Sequence, residues 1–179
     1  MSEIKSTLDL VMEKTRDLNL SREERDAQRA EDIRKALRGM IQKYRDRVLR
    51  KDQFLEEFRE LGTTAHQTKE QILRTEILSQ IDLDTDPETS AADLELLQQV
   101  CGLKVENLAA ILGEFSDHRD KAMADRTREV KDQIQMQFQI SGSAVVPNVE
   151  TDVPLTRTLQ DLRQTYTHRL EAEKGSLQA

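Results

Sequence analysis

KVENLAAILGEFSDHRDKAMADRTREVKDQIQMQFQ, running from Lys104 to Gln139, is the stretch on which the fold turns. No proline interrupts its 36 residues, and Gly113 is its one weak helix former. Val105, Leu108, Leu112, Phe115, Met123, Val130, Ile134 and Phe138 recur at helical spacing. Leu112, Met123 and Ile134 stand eleven residues apart, the period of a nearly straight or slightly right-handed seam. Arg119 and Arg126 interrupt any strict heptad, so a long leucine zipper is not the reading. One helix of this length spans about 54 Å at about 1.5 Å per residue. A compact domain of 179 residues is only about 40 Å across. The expectation is therefore a kinked helix or an elongated molecule, and an elongated one buries its seams by self-association.

Working outward, helix-forming patterns fill most of the chain. Downstream, Ile140 to Val149 (ISGSAVVPNV) is uncharged and ends in turn chemistry at Pro147-Asn148. It reads either as a crossover packing Val145-Val146 into a groove or as an exposed docking strand. Burial is the favoured reading, because uncharged stretches of so charged a chain are usually covered. Pro154 then opens a last helix on Leu155, Leu159, Leu162, Tyr166 and Leu170. Upstream, Ala91 to Cys101-Gly102 is a helix with Leu94, Leu97 and Val100, preceded by the turn DLDTDPETS at 82–90. Ile72, Leu73, Ile77 and Leu78 mark another helix, and Asp52 caps a shorter one carrying Leu55, Phe58 and Leu61, with Gly62 as its stop. Ser21-Arg-Glu-Glu24 is a capping-box pattern that starts a helix near Arg22, with Ile33, Leu37, Ile41, Tyr44 and Val48 as its stripe. Ile4, Leu8, Val11, Thr15 and Leu18 form one more stripe at the start.

Charge is segregated along this helical chain. Arg34 to Lys51 carries eight Lys or Arg against the single Asp46. Thr75 to Leu103 carries seven Asp or Glu and no basic residue. Charged residues make up 34% of the chain and aromatics 3%, without tryptophan, which argues against a thick core. The net charge of −7 argues for solubility and against a dedicated nucleic-acid binder. The opening MSEIKSTLDL lacks the pattern of a signal peptide, and the longest apolar run is five residues, so a cytoplasmic setting without a membrane span is expected.

The basic block holds the candidate partner-binding residues Arg34, Lys35, Arg38, Lys43, Arg45, Arg47, Arg50 and Lys51. On a helix they could follow a phosphate backbone. Only Tyr44 is interleaved for stacking, and pairing with the acidic block of 75–103 is the favoured use. Asp82, Asp84, Asp86 and Asp93 imitate calcium-loop spacing, but Pro87 stands where glycine must turn the chain and Asp93 replaces the bidentate Glu. His66, His118 and His168 are about fifty residues apart and none has a ligand at i+4, so no zinc pair forms. Cys101 is the only cysteine, which rules out an internal disulfide and reads as a small apolar residue at a helix end. No phosphate-binding glycine loop or nucleophile elbow occurs. The reading carries no catalytic residue, cofactor, metal ligand or small-molecule substrate.

The opening IKSTLDLVMEKTRDLNLS (Ile4 to Ser21), the helix RKALRGMIQKY (Arg34 to Tyr44) and ISGSAVVPN (Ile140 to Asn148) together resemble a family of small, uncharacterised helical bacterial proteins. That resemblance implies a bacterial, cytoplasmic setting and brings no activity, cofactor or site residue. A looser similarity is to nucleotide-exchange cochaperones, which place a long paired helix before a small non-helical module; it is a fold-level analogy only.

The sequence thus predicts an all-α protein: an elongated helical bundle with one long helix (about 104–139), a short irregular segment at 140–153 and a C-terminal helix. Residues 1–179 are expected to form one helical domain, with a sub-boundary at the acidic turn 82–90. The expected function is non-enzymatic, an interaction or scaffold module joined through apolar seams and charged surfaces. Self-association or another protein is the expected partner, ahead of nucleic acid held by residues 34–51.

Overall fold

The computed structural model describes residues 21–62, 68–142, 145–149 and 151–178. These are all-α: α1 (Arg22–Arg45), α2 (Lys51–Glu60), α3 (Lys69–Gln80), α4 (Pro87–Cys101), α5 (Glu106–Phe138) and α6 (Val153–Gln178). The apolar stripe at Ile4 to Leu18 and His66 lie outside the described residues. The chain divides into two compact units, Met1–Ser79 and Gln80–Ala179. The division falls just ahead of the acidic turn. Among the described residues no helix is long and apolar enough to cross a membrane.

In the first unit, α1 begins as its capping box predicts. The Ser21 hydroxyl accepts from the Glu24 N–H at 3.2 Å, and the Glu24 carboxylate accepts from the Ser21 N–H at 2.7 Å. Ile33, Leu37, Met40 and Ile41 form its buried face. The helix stops at Arg45, one turn before the predicted stripe would end. Arg47 takes a left-handed φ of 58°, so Val48 lies outside the helix and is 71% exposed, while Leu49 is buried in its place.

The stripe of α2 also differs from the expected one. Arg50, not Asp52, occupies the N-cap, and its N–H is satisfied by the Gln53 side chain at 3.0 Å. Phe54 and Phe58, one turn apart, are buried, and Leu55 is only partly covered. Phe54 meets Tyr44 edge-on at 5.6 Å and stacks with Phe58 at 6.2 Å between centroids. Gly62 does not close this helix alone. Lys69 reaches back from α3 to the carbonyl oxygens of Phe58, Arg59 and Leu61 at 2.8, 3.0 and 3.3 Å, and its ammonium lies 4.9 Å from the Phe58 ring centre. A cation thus satisfies three carbonyls that the helix end leaves unpaired.

In the second unit, α4 starts four residues earlier than predicted. Asp86 caps it by accepting from the Thr89 N–H at 3.0 Å, and Pro87 fills the first position, where no N–H is needed. Gly102 closes it with φ 65°, a left-handed conformation that costs glycine little. The long helix α5 is a single element of 33 residues. It buries Leu108, Ile111 and Phe115, whereas Leu112, Val130 and Ile134 are only half-covered. α5 and α6 pack against one another, and α6 buries Leu155, Tyr166 and Leu170. Leu159 and Leu162 are half-exposed.

Six leucine and isoleucine positions therefore separate into two classes. Leu37, Ile41 and Leu108 are at most 1% exposed, and truncating any of them to Ala is expected to cost about 2–4 kcal/mol in urea denaturation. Leu112, Leu159 and Leu162 leave less cavity behind, and the same change there is expected to cost under about 1 kcal/mol.

Candidate interaction surfaces

The eight predicted basic residues do not share one surface. Arg34 and Arg38, one turn apart on α1, close on Glu76 of α3. The Arg34 Nε lies 3.1 Å from Glu76 Oε1, and Arg38 binds both carboxylate oxygens at 2.6 and 3.2 Å. Glu76 is 6% exposed and belongs to the acidic stretch, so this part of the two blocks pairs inside the first unit. Arg34 also holds Glu31 at 2.8 Å. Lys35 and Lys43 line an open groove between α1 and α2, opposite Glu57 and Glu60. Arg45, Arg47 and Lys51 each have a partner of their own. Arg50 begins α2. The block thus spans a helix end, a turn and a helix start.

Three acids of the stretch 82–95 have defined roles. The Asp82 carboxylate accepts from the Asp84 N–H at 2.7 Å, Asp84 pairs with Arg163, and Asp86 caps α4. The Asp82, Asp84 and Asp86 spacing that imitates a calcium loop is thus a turn followed by a cap. Among the described residues no group of three or more His, Cys, Asp or Glu is arranged to hold a metal ion. Cys101 is the half-buried last residue of α4.

Two polar fastenings join α5 and α6. Near the start of α6, Arg126 grips Asp152 through Nε and Nη2 at 2.9 and 2.8 Å, while its Nη1 holds Glu129 at 2.9 Å. Asp152 also caps α6 by accepting from the Leu155 N–H at 2.9 Å. Further along, the Tyr166 hydroxyl sits 2.8 Å from His118 Nδ1 and 3.3 Å from Glu114, which binds Arg169 at 2.8 Å. The Arg169 guanidinium covers the Tyr166 ring at 4.8 Å, and Phe115 lies 5.7 Å from it. Burial and the Glu114 charge raise the Tyr166 hydroxyl above its ordinary pKa, so it stays protonated and donates. The cluster ties α5 to α6 through side chains of both helices.

The Arg126 and Leu155 hydrogen bonds hold the Asp152 carboxyl below its ordinary range, and Arg169 does the same first for Glu114. Carboxyls lowered in the folded state stabilise it above their unfolded pKa of about 4, and that contribution disappears as pH falls through the lower folded value. Acid titration followed by circular dichroism is expected to loosen the α5–α6 pair below about pH 4. Asp152→Asn is expected to weaken the pair near neutral pH and to flatten that acid dependence.

The same fastenings fix the pairing as antiparallel. Asp152, at the start of α6, meets Arg126, and Arg169, near its end, meets Glu114. Residues 127–138 of α5 therefore run roughly 18 Å past the first residue of α6. Four apolar side chains there and just beyond are exposed: Met136 at 75%, Phe138 at 65%, Ile140 at 53% and Val146 at 82%. The expected burial of Val145-Val146 is thus corrected, since Val146 faces solvent and only Val145 is half-covered. The spacing of Glu114 to His118 and Tyr166 to Arg169 is visible in the sequence, but their meeting depends on an antiparallel register that no single helix specifies. Comparisons with protein-family models, with curated proteins and with solved structures find no match for this chain.

Proposed function

We propose that this protein is a non-enzymatic helical interaction module that self-associates through the uncovered end of α5. The observation that carries this reading is the exposure of Met136 and Phe138 on a helix end that its partner helix does not reach, followed by exposed Ile140 and Val146 in the segment after it. Apolar groups gathered on a protruding element, rather than scattered, mark a surface that a partner covers. Charged side chains flank the exposed stripe at Arg128, Glu129, Lys131 and Asp132, and these set orientation more than affinity.

Nucleic-acid binding through residues 34–51 is the weaker reading. Arg34 and Arg38 are committed to Glu76, and the remaining cations are divided among three local structures. Counterion release rewards closely spaced cations along one face, and the pairing of Arg34 and Arg38 with Glu76 counts against that use. Light scattering on the full chain tests the proposal, with a mass at least twice 20.6 kDa expected at micromolar concentration. A monomer throughout the concentration range overturns it. Filter retention of DNA or RNA at about 150 mM salt would favour the basic block instead.

A further inference from the structure

A second apolar surface lies away from the end of α5, in the wall between α4 and the first turns of α5. It is a cleft of about 350 Å³. Its floor is Ala91 and Leu94 on one side and Ala109, Leu112 and Gly113 on the other. Leu94 and Leu112 are both half-exposed, although each occupies a position that the helical stripe predicts as core. Gly113, the weakest helix former of α5, lines the cleft and has no atom within 4 Å of where a Cβ would stand, so a side chain placed there would enter open space. A helix with a glycine in its wall forgoes propensity and packing there, and here the space remains open to solvent.

The rim has a sign. Arg163 pairs with Asp84 and Arg119 with Asp120, which balances those charges. Asp86 and Asp117 line the same cleft and leave it net negative. The neighbouring stretch 82–95 contains no Lys or Arg. No buried charged side chain converges inside the cleft to orient a small polar molecule, and its volume suits two or three aliphatic side chains. An apolar floor of that size with carboxylates at the edge matches an amphipathic helix laid in a groove, anchored one turn apart and flanked by cations.

We propose that the α4–α5 cleft docks a basic amphipathic helix of a partner protein, with aliphatic side chains over Leu94 and Leu112 and lysine or arginine beside Asp86 and Asp117. This rests on the interaction-module reading, yet it concerns a different surface and a partner of different chemistry. Self-association at the end of α5 is read by light scattering and helix docking by direct titration, so either result can fail alone.

The test uses the full chain and two fluorescein-labelled helical peptides of about 18 residues, with one leucine ridge in both and either lysine or glutamate on the flanks. The lysine peptide is expected to bind at least about tenfold more tightly than the glutamate peptide, and to weaken as salt is raised. Gly113→Leu fills the cleft while improving helix propensity, and it is expected to reduce lysine-peptide binding about tenfold with the thermal melt retained or raised. Asp117→Lys, on the exposed rim, is expected to weaken the lysine peptide and strengthen the glutamate peptide. Absence of binding by either peptide overturns the proposal, as does equal binding of both or undiminished binding by Gly113→Leu. Loss of self-association in Gly113→Leu also overturns it, because the occupant would then be a second copy of this chain.

Discussion

Phe54→Ala is expected to destabilise the first unit by about 3–5 kcal/mol, the largest loss of any single truncation considered. Phe54 is 0% exposed and lies between two other rings, Tyr44 at 5.6 Å and Phe58 at 6.2 Å. Removing it withdraws the transfer energy of a whole ring, leaves a cavity and ends two aromatic contacts at once. Against a typical net stability of about 5–15 kcal/mol, that is roughly a fifth or more of what holds a domain folded. Urea denaturation followed by circular dichroism should show a lower midpoint at similar slope, and hydrogen exchange should quicken in α1 and α2. Leu55→Ala is the control. Half-covered and one position along the same helix, it is expected to cost about 1 kcal/mol or less. Equal losses at the two positions would mean that Phe54 is not the centre of this packing.

That pair of positions also marks where the sequence is legible and where it is not. The all-α class, the start of α1 at Ser21, the stop of α4 at Gly102 and the extent of α5 follow from capping chemistry and periodicity, which are local. The buried face of α2 does not, because a ten-residue helix carries too few apolar side chains to choose between Leu55 and Phe54. Thr68 to Gln71 was a readable signal of the same kind as Ser21 to Glu24. The Thr68 hydroxyl accepts from the Gln71 N–H at 3.2 Å, and the Gln71 side chain accepts from the Thr68 N–H at 3.0 Å.

Contacts between distant segments were beyond periodicity altogether. Lys69 reads as a surface lysine until α3 folds back beside the end of α2. Arg34, Arg38 and Glu76 read as parts of two opposed charge blocks, and only the approach of α3 to α1 brings both guanidiniums onto the buried Glu76 carboxylate. Charge segregation predicted the signs that meet but not the residues. Similarly, the stripe of α5 predicts Leu108, Leu112 and Phe115 as equal core positions. Leu112 instead is half-exposed and lines the cleft, while Leu108 and Phe115 are buried.

Along α5, one substitution placed at two heights is expected to give opposite results. Phe115 is 5% exposed and packs against Tyr166, so Phe115→Asp buries a carboxylate among apolar groups and is expected to unfold the α5–α6 pair. Phe138 is 65% exposed on the helix end that α6 does not reach, so Phe138→Asp has no buried contact to lose. Its circular dichroism spectrum and melting temperature should match those of the unaltered chain, whereas its mass by light scattering should fall to that of a monomer. The reason is desolvation. A carboxylate costs nothing on a wet surface, but inside an apolar interface it loses its hydration without gaining a partner, a penalty of several kcal/mol for each copy. Two copies meeting at the same patch incur it twice, which is enough to turn a micromolar association into none at working concentrations. If Phe138→Asp retains the assembly while Met136→Asp and Ile140→Asp do too, the uncovered end of α5 is not the interface.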